Sequence, residues 1–400
     1  MRIVVALSRF PYPIEKGDKL RAFRQIQGLS ENHTIHLVAL NHTVPGEEEI
    51  RELRKYCESV DVIVSGKWKK LRNLFRSLFT RIPFQVHYFQ SATMQARIRK
   101  VCEQVKPDVM FVQLIRLGLS IPLDIKIPMY IDYMDSFSAG MRNRIPLIPW
   151  YARPIAKWEA RRLEKYEMGL LQAFSGYSMI TAADLPGFPE TQRKNFDIIP
   201  NGVSPEFIGY KCPDSIPEYD IIFTGNLGYH PNILAAMFLV REILPKVREK
   251  YPDLKVCLAG ARPVKEIQAL AGKNVVVTGF VSDLREYIAK SMMFVAPMIS
   301  GSGLQNKLLE AMAIGLPSVT SSLANRALGA ESGNHLLVCD TADEFAREII
   351  SLMGDRGRAV KLGMSGRKFV EANFDWNRSN EMLEKALIRI CKMNTTQYIK

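Results

Sequence analysis

The chain has 400 residues, 47% of them hydrophobic, and a formal net charge of +13, enough length and apolar content for two or three domains with separate cores. No window approaches the roughly 20 consecutive apolar residues of a membrane-spanning helix, which excludes a protein that crosses the bilayer in that way. The six cysteines (Cys57, Cys102, Cys212, Cys257, Cys339 and Cys391) are scattered without a CxxC pair, which excludes a metal site of that spacing and reads as reduced thiols in a cytosolic protein.

The first residues, MRIVVALSRF, are too short an apolar run for a signal peptide and read as a strand. A helical pattern over 19–29 and a second strand over 35–40 complete a βαβ opening, so a parallel sheet is expected. Between them, PYPIEKGDKLR places Gly17 just before the helix, with Arg21 in its first turns. This is either a phosphate-facing turn or an ordinary loop glycine. Helices are expected over 47–57 and 92–105, and strands over 60–64, 108–113 and 128–133. Asp135 follows the last of these, at the carboxyl end of a strand, where open parallel sheets place ligands. The alternative is that it caps the next helix.

The positive charge is uneven. Residues 1–199 hold 30 Lys and Arg against 20 Asp and Glu, whereas the remainder holds 24 against 21. Much of the excess lies in GKWKKLRNLFRSLFTRIPF, where Lys67, Lys69, Lys70, Arg72, Arg76 and Arg81 have no acid among them. Trp68, Leu71, Leu74, Phe75, Leu78 and Phe79 recur there at helical spacing. A basic amphipathic helix of this kind suits an anionic membrane surface, contacted by Lys67, Trp68, Lys69, Lys70, Arg72, Phe75, Arg76 and Phe79. The competing reading is a core-facing helix with a solvated basic rim. A second basic stretch, 142–165, is partly neutralised by Glu159 and Glu164 and reads as an ordinary surface helix. Nucleic acid is not the expected partner, because no recognised motif for it appears.

Residues 177–182 read as the last strand of the first half, and the proline-rich 204–219 as a linker. A second series of strands follows at 219–223, 254–258, 274–278, 292–296, 316–320 and 335–339, with a helix over 231–250. The tail from 342 is mostly helical, with breaks near 354–357 and 373–376. Two parallel-sheet halves with glycine turns at strand ends imply a ligand between them.

One stretch, APMISGSGLQNKLLEAMAIGLP from Ala296, carries the clearest chemistry. A strand ends at Pro297, a small-residue turn follows, and a helix begins near Leu304. Backbone N–H groups and the positive end of the helix dipole would point into one volume, with Gly301 and Gly303 permitting close approach of a phosphate. Lys307 adds a cation one turn in, and Glu310 an acceptor for hydroxyl groups. The stretch therefore suits a nucleoside diphosphate with a sugar attached.

PNGVSPEF (200–207), FTGNLGYHPN (223–232), VTGFVSDL (277–284) and SGSGLQNKLLEAMAIGLPSVTS (300–321) together resemble the donor domain of glycosyltransferase family 4. PYPIEKGDKLRAF resembles a glycine loop of its exopolysaccharide-associated members. The resemblance implies the α/β GT-B fold, two Rossmann-like domains with parallel sheets facing across a cleft. An acceptor domain would span 1–199 and a donor domain 200–377, with a last helix over about 378–400 packing back on the first. It implies a retaining transferase that moves a sugar from a UDP- or GDP-linked donor to a lipid-linked or nascent glycan acceptor in surface polysaccharide or glycoconjugate synthesis. Neither cofactor nor metal is expected, and the location is cytoplasmic, on the inner face of the membrane.

By position, the resemblance gives Glu310 the ribose hydroxyls, Gly301, Ser302, Gly303, Leu304 and Gln305 the diphosphate and sugar, and Lys307 the phosphate charge. Gly225, Asn226 and Asn306 join the donor site, Phe280 and Val281 meet the base, and Gly17 closes over the phosphates. The chain departs from the family at Ser302, where a glutamate is common, at Asn226, where an arginine is usual, and at Met134, where a histidine stands. Asp135, Lys307 and Ser302 are the catalytic candidates, with Arg262, Lys307 and Arg21 able to replace the missing charge. Two other readings are a nucleotide-sugar epimerase of the same fold and a non-catalytic nucleotide- or glycan-binding protein.

Overall fold

The structure is a computed structural model describing residues 1–14, 16–210, 216–301 and 303–397. The chain divides into two compact units, Met1–Pro200 with Trp376–Lys400, and Asn201–Asp375.

The first unit is built on seven strands: β1 (Arg2–Leu7), β2 (Thr34–Asn41), β3 (Ser59–Val64), β4 (Val109–Gln113), β5 (Met129–Met134), β6 (Gly176–Met179) and β7 (Phe196–Ile198). All pair in parallel, in the order β3-β2-β1-β4-β5-β6-β7. The central strands are buried on both faces, which is why they read as unbroken apolar runs rather than alternating ones. The edge strand β7 is a seventh strand beyond the six expected; three residues are too short to show a pattern. Sheet order reverses between β1 and β4, so the carboxyl ends of these two strands flank a switch point.

The last helix, Trp376–Gln397, belongs to this unit. Its Leu383, Ala386, Leu387 and Ile390 are buried with Ile3, Val5, Phe111 and Tyr130. It lies against the helix Gly17–Ser30, where Asn380 donates to the carbonyl of Arg24 at 3.2 Å.

The second unit has β8 (Tyr219–Thr224), β9 (Val256–Ala259), β10 (Val275–Gly279), β11 (Ser291–Ala296), β12 (Ser318–Thr320) and β13 (Leu337–Val338), parallel in the order β10-β9-β8-β11-β12-β13. Here the switch point lies between β8 and β11. The helix expected over 231–250 runs as His230–Phe238 and Leu244–Arg248, joined by a π turn at Leu239–Ile243. Pro245 lacks the N–H that a regular helix needs at that place. The segment taken from sequence as a linker is in part structured: the helix Pro205–Ile208 is tied to the second unit by Arg367, which donates to the carbonyl of Ile208 at 2.6 Å.

Candidate active site

At the second unit's switch point, β8 ends in Thr224 and turns sharply at Gly225. Gly225 (φ 146°) and Gly260 (φ 148°), which follow β8 and β9, press their backbones together. A Cβ on Gly260 would lie 1.8 Å from the carbonyl oxygen of Gly225, so no side chain fits there. Asn226 then closes the turn, its Oδ1 accepting from the N–H of Gly228 at 3.0 Å. Asn226 therefore shapes the loop through its amide; the charge of the arginine usual there is absent.

On the other side of the switch point, β11 gives way to the turn 297–305. Gly301 (φ 118°) and Gly303 (φ 76°) adopt backbone conformations that suit glycine. Gln305 precedes the helix Asn306–Ile314 and donates to the carbonyl of Gly303 at 3.2 Å, leaving the helix start without a side-chain cap. The first N–H groups of this helix are thus open to an anion. Leu304 is half-buried against the core, and Asn306 accepts from Asn201 at 3.2 Å, fixing the PNGV loop beside the helix start. Ser302 lies outside the described residues.

Asn232 links the two sides. Its Nδ2 donates to the carbonyl of Asn226 at 2.9 Å, and its Oδ1 accepts from Lys307 Nζ. Lys307 also lies 3.6 Å from the Met298 sulfur and 5.0 Å from the centre of the Phe223 ring. In these surroundings burial pushes the Lys307 ammonium down to about 7, with Glu310 pulling the other way. Burial likewise pushes the Glu310 carboxyl up to about 7, opposed by Lys307. The Glu310 carboxylate makes no hydrogen bond among the described residues, so it is available to donors from a ligand. Phe280 is 80% exposed just beyond β10, and Arg262 (φ 58°) lies on the loop after β9, where its carbonyl adjoins Gly228.

Residues 218–355, which contain all of this constellation except the PNGV loop, match the family described as Glycosyl transferases group 1. The chain is a glycosyltransferase. Its fold is GT-B: a glycosyltransferase structure from Rickettsia africae covers 98% of this chain and 99% of its own, with a TM-score of 0.68 at 13% identity. The Anabaena HepE structure in complex with UDP covers 97% of this chain and 100% of its own, with a TM-score of 0.66 at 13% identity. An uncharacterized 44.6 kDa protein of a cps region in Klebsiella pneumoniae is 20% identical over 393 residues, 94% of this chain and 96% of its own length.

In the first unit of the transferase, Arg21 is not available to a donor. Its guanidinium is fully buried and bonded to the equally buried Asp132 at 2.6 Å, where Gln25 and Ser178 also donate. The expectation that Arg21 binds phosphate is corrected: a cation on the inward face of helix Gly17–Ser30 meets the end of β5, not solvent. Gly17 itself is exposed at the start of that helix.

Asp135 follows Met134, whose φ of 65° is uncommon for a side chain of its size. Ser136, not Asp135, caps the helix Phe137–Arg144, accepting from the N–H of Ala139. Burial and the nearby Asp184 push the Asp135 carboxyl up to about 7, with Arg21 pulling it down, and its Oδ1 has no hydrogen-bond partner among the described residues. Sequence reading missed three residues that meet at the first switch point: Arg9 and Arg116 both donate to Asp18 Oδ2, at 2.6 and 3.1 Å. They come from three separate segments, and only Arg9, just after β1, stood where a pattern could have found it.

The basic segment forms the helix Lys67–Ser77. Its orientation is inverted relative to an ordinary surface helix. Lys70, Asn73 and Ser77 face inward, whereas Trp68, Leu71, Phe75, Leu78 and Phe79 are exposed, as are Arg72 and Arg76. The core-facing reading is thereby overturned. Lys70 is withdrawn from the outer surface, because its ammonium donates to Nδ1 of His42 and sits 5.3 Å from the centre of the Tyr88 ring. The side chains of Lys67 and Lys69 lie outside the described residues.

Proposed function

We propose that this glycosyltransferase takes its sugar from a UDP- or GDP-linked donor, retains the anomeric configuration as family 4 enzymes do, and serves a lipid-linked or nascent glycan acceptor in surface polysaccharide synthesis. The observation that carries the donor half is the uncapped start of helix Asn306–Ile314, with Lys307 and Glu310 one turn apart behind it. In this reading the open N–H groups and the glycine turn hold the diphosphate, Lys307 meets the charge that grows on the departing phosphate, and Glu310 accepts from the ribose hydroxyls. Gly225, Asn226 and Asn306 shape the walls, Arg262 adds a cation, and exposed Phe280 with Val281 meets the base. No metal has a part; the helix start and Lys307 supply the positive charge. Anabaena HepE was solved with UDP, which favours a uridine donor. The cps-region relative favours polysaccharide synthesis.

The membrane half rests on the exposed apolar face of helix Lys67–Ser77. Ser77 accepts from Arg162 at 2.7 Å, which joins this helix to Arg153–Ala173. Near the latter's start Trp150, Tyr151 and Ile155 are exposed too. No helix among the described residues is long and apolar enough to cross a membrane. A surface of aromatic side chains rimmed by Arg72, Arg76 and Arg153 suits the inner, anionic leaflet of a bilayer, where the enzyme would sit peripherally.

The test is a thermal-shift panel of nucleoside diphosphates and their sugars, followed by transfer assays with the stabilising donor and product analysis of the new linkage. A panel without any stabilising nucleotide would overturn the reading. An inverted product would overturn retention alone.

A further inference from the structure

Two glycine turns flank the second unit's switch point, and the start of helix His230–Phe238 sits between them. A Cβ on Gly225, in the turn after β8, would lie 2.7 Å from Asn232 Nδ2. A Cβ on Gly301, in the turn after β11, would lie 3.6 Å from Pro231 Cβ. Side chains in the first turn of a helix lean back towards the segment leading in, which is how Asn232 reaches the carbonyl of Asn226.

Asn232 is only 5% exposed, so its amide has to be satisfied within the protein. A carbonyl only accepts and an ammonium only donates, so Asn226 and Lys307 together fix which way the amide points. Nδ2 faces the loop and Oδ1 faces the lysine. Among the described residues Oδ1 is the one oxygen acceptor that Lys307 has. Its other contacts are the Met298 sulfur, a weak acceptor, and the Phe223 ring. The charged group acting on Lys307 is Glu310, on its own helix; Asn232, Met298 and Phe223, from the elements packed against it, are neutral. Without Oδ1 the buried ammonium would keep little to set against its desolvation. The chain from carbonyl through amide to ammonium also joins the two turns, so a shift at either end is passed to the other.

We infer that Asn232 is a positioning residue of the donor site: it holds the Lys307 ammonium in place for the diphosphate and couples that contact to the loop 225–228. The inference rests on the donor reading given above and adds the group that orients its cation. Asn226 stands where the resembled family has an arginine. Lys307 supplies a cation from the opposite side of the switch point, and Asn232 ties it to that loop.

Two variants of the full-length chain separate this role from a merely structural one. Asn232→Asp keeps an acceptor for Lys307 but sets a carboxylate beside it and loses the donor to Asn226. Asn232→Leu removes both bonds. In the nucleotide-free protein, labelled with ¹³C-lysine, the Lys307 resonance is identified by its disappearance in Lys307→Ala and followed against pH. Asn232→Asp is expected to titrate at a pH about 1–3 higher than wild type, and Asn232→Leu at a lower pH than wild type. Loss of packing alone would not move the two in opposite directions. Where Asn232→Leu melts early, the nearly isosteric Asn232→Asp carries the test.

Calorimetry with UDP and with GDP then reads the coupling to the ligand. Both variants are expected to bind roughly tenfold more weakly or worse, as for loss of one charge-assisted hydrogen bond. At pH 8 wild type is expected to take up close to about one proton on binding, and Asn232→Asp less than about half of one, because its lysine is already charged. Lys307 titrations that stay together, or move the same way, overturn the positioning role. Titrations that separate while nucleotide affinity stays equal in all three proteins overturn its bearing on the diphosphate. Wild type that binds neither nucleotide overturns the donor reading itself, which is seen without recourse to the variants.

Discussion

Trp68 and Lys70 stand two residues apart on one helix and face opposite ways: Trp68 is 84% exposed and Lys70 only 6%. Helices of soluble proteins bury the apolar stripe and solvate the cations. Here a lysine is turned inward to His42 and an aromatic face is left bare, an arrangement that makes physical sense if another apolar phase covers that face.

Replacing Trp68, Phe75 and Phe79 together by serine should therefore abolish association with vesicles containing anionic lipid while leaving the melting temperature nearly unchanged. Each aromatic is worth about 1.5–3 kcal/mol when taken out of water. Arg72→Glu with Arg76→Glu should weaken the same association, more so at low salt, because those charges lie at the surface. Co-sedimentation measures both, and a triple-serine variant that pellets like wild type removes the membrane face.

Lys307→Ala should lower turnover by roughly 10²–10³-fold, the scale of losing a preorganised charge at a developing anion. Folding should survive, because the ammonium is costly to bury. The proton balance offers a further check. Burial holds Lys307 at about 7, below its ordinary 10.5. A bound diphosphate restores the charge, so nucleotide binding near pH 8 should take up protons from buffer, and Lys307→Ala should not. Calorimetry in buffers of different ionisation enthalpy reads this directly; the same observed heat in every buffer for wild type would refute the role.

Glu310 gives a stability signature with the opposite sign. Its folded value of about 7 lies above the ordinary 4.5. Unfolded chains lose this proton first, so the group's contribution is complete below about 4.5 and fades as pH rises towards 7. Glu310→Gln, which does not ionise, should gain on wild type across that window by of order 1–3 kcal/mol. It should also bind the nucleotide about tenfold more weakly. Melting curves against pH decide the first point, and a constant gap between the two proteins would count against it.

Arg21→Met leaves Asp132 buried without its guanidinium. The expected cost is about 3–5 kcal/mol of stability, with nucleotide affinity of the folded protein unchanged. Urea denaturation and nucleotide titration separate a structural ion pair from a phosphate ligand. A variant that is stable but binds donor poorly would restore the role expected from sequence.

Gly260→Ala tests the packed glycines beside the donor loop. The added carbon meets the carbonyl oxygen of Gly225, which is backbone and has no rotamer to escape by. A loss of about 2 kcal/mol or more is expected, together with weaker nucleotide binding through the displaced loop. Unchanged melting and affinity would show that the two strand ends separate freely.

The parallel sheets were legible because both faces of each central strand are buried, and β1, β4 and β5 therefore read as plain apolar runs. β7 is too short to show a pattern. The glycine turn and uncapped helix start were legible for a related reason: the turn, Lys307 and Glu310 lie within one continuous stretch. Asn232 stood inside a recognised motif, yet its link between Asn226 and Lys307 exists only once two segments 75 residues apart are brought together. The meeting of Arg9, Asp18 and Arg116 was hidden in the same way. In the basic helix, spacing revealed two faces but not which of them turns inward, since that was decided by His42 at the end of β2.

The closing helix Trp376–Gln397 has a consequence for biosynthesis. Residues 201–375 leave the ribosome as one uninterrupted block with every part of their core present. The block that was translated first still lacks Leu383, Ala386, Leu387 and Ile390 and finishes only after residues 376–397 have been made. The order in which the halves mature is thus the reverse of the order in which they are made. Truncation ahead of residue 376 should leave a second unit with its core intact attached to a first unit that never seals.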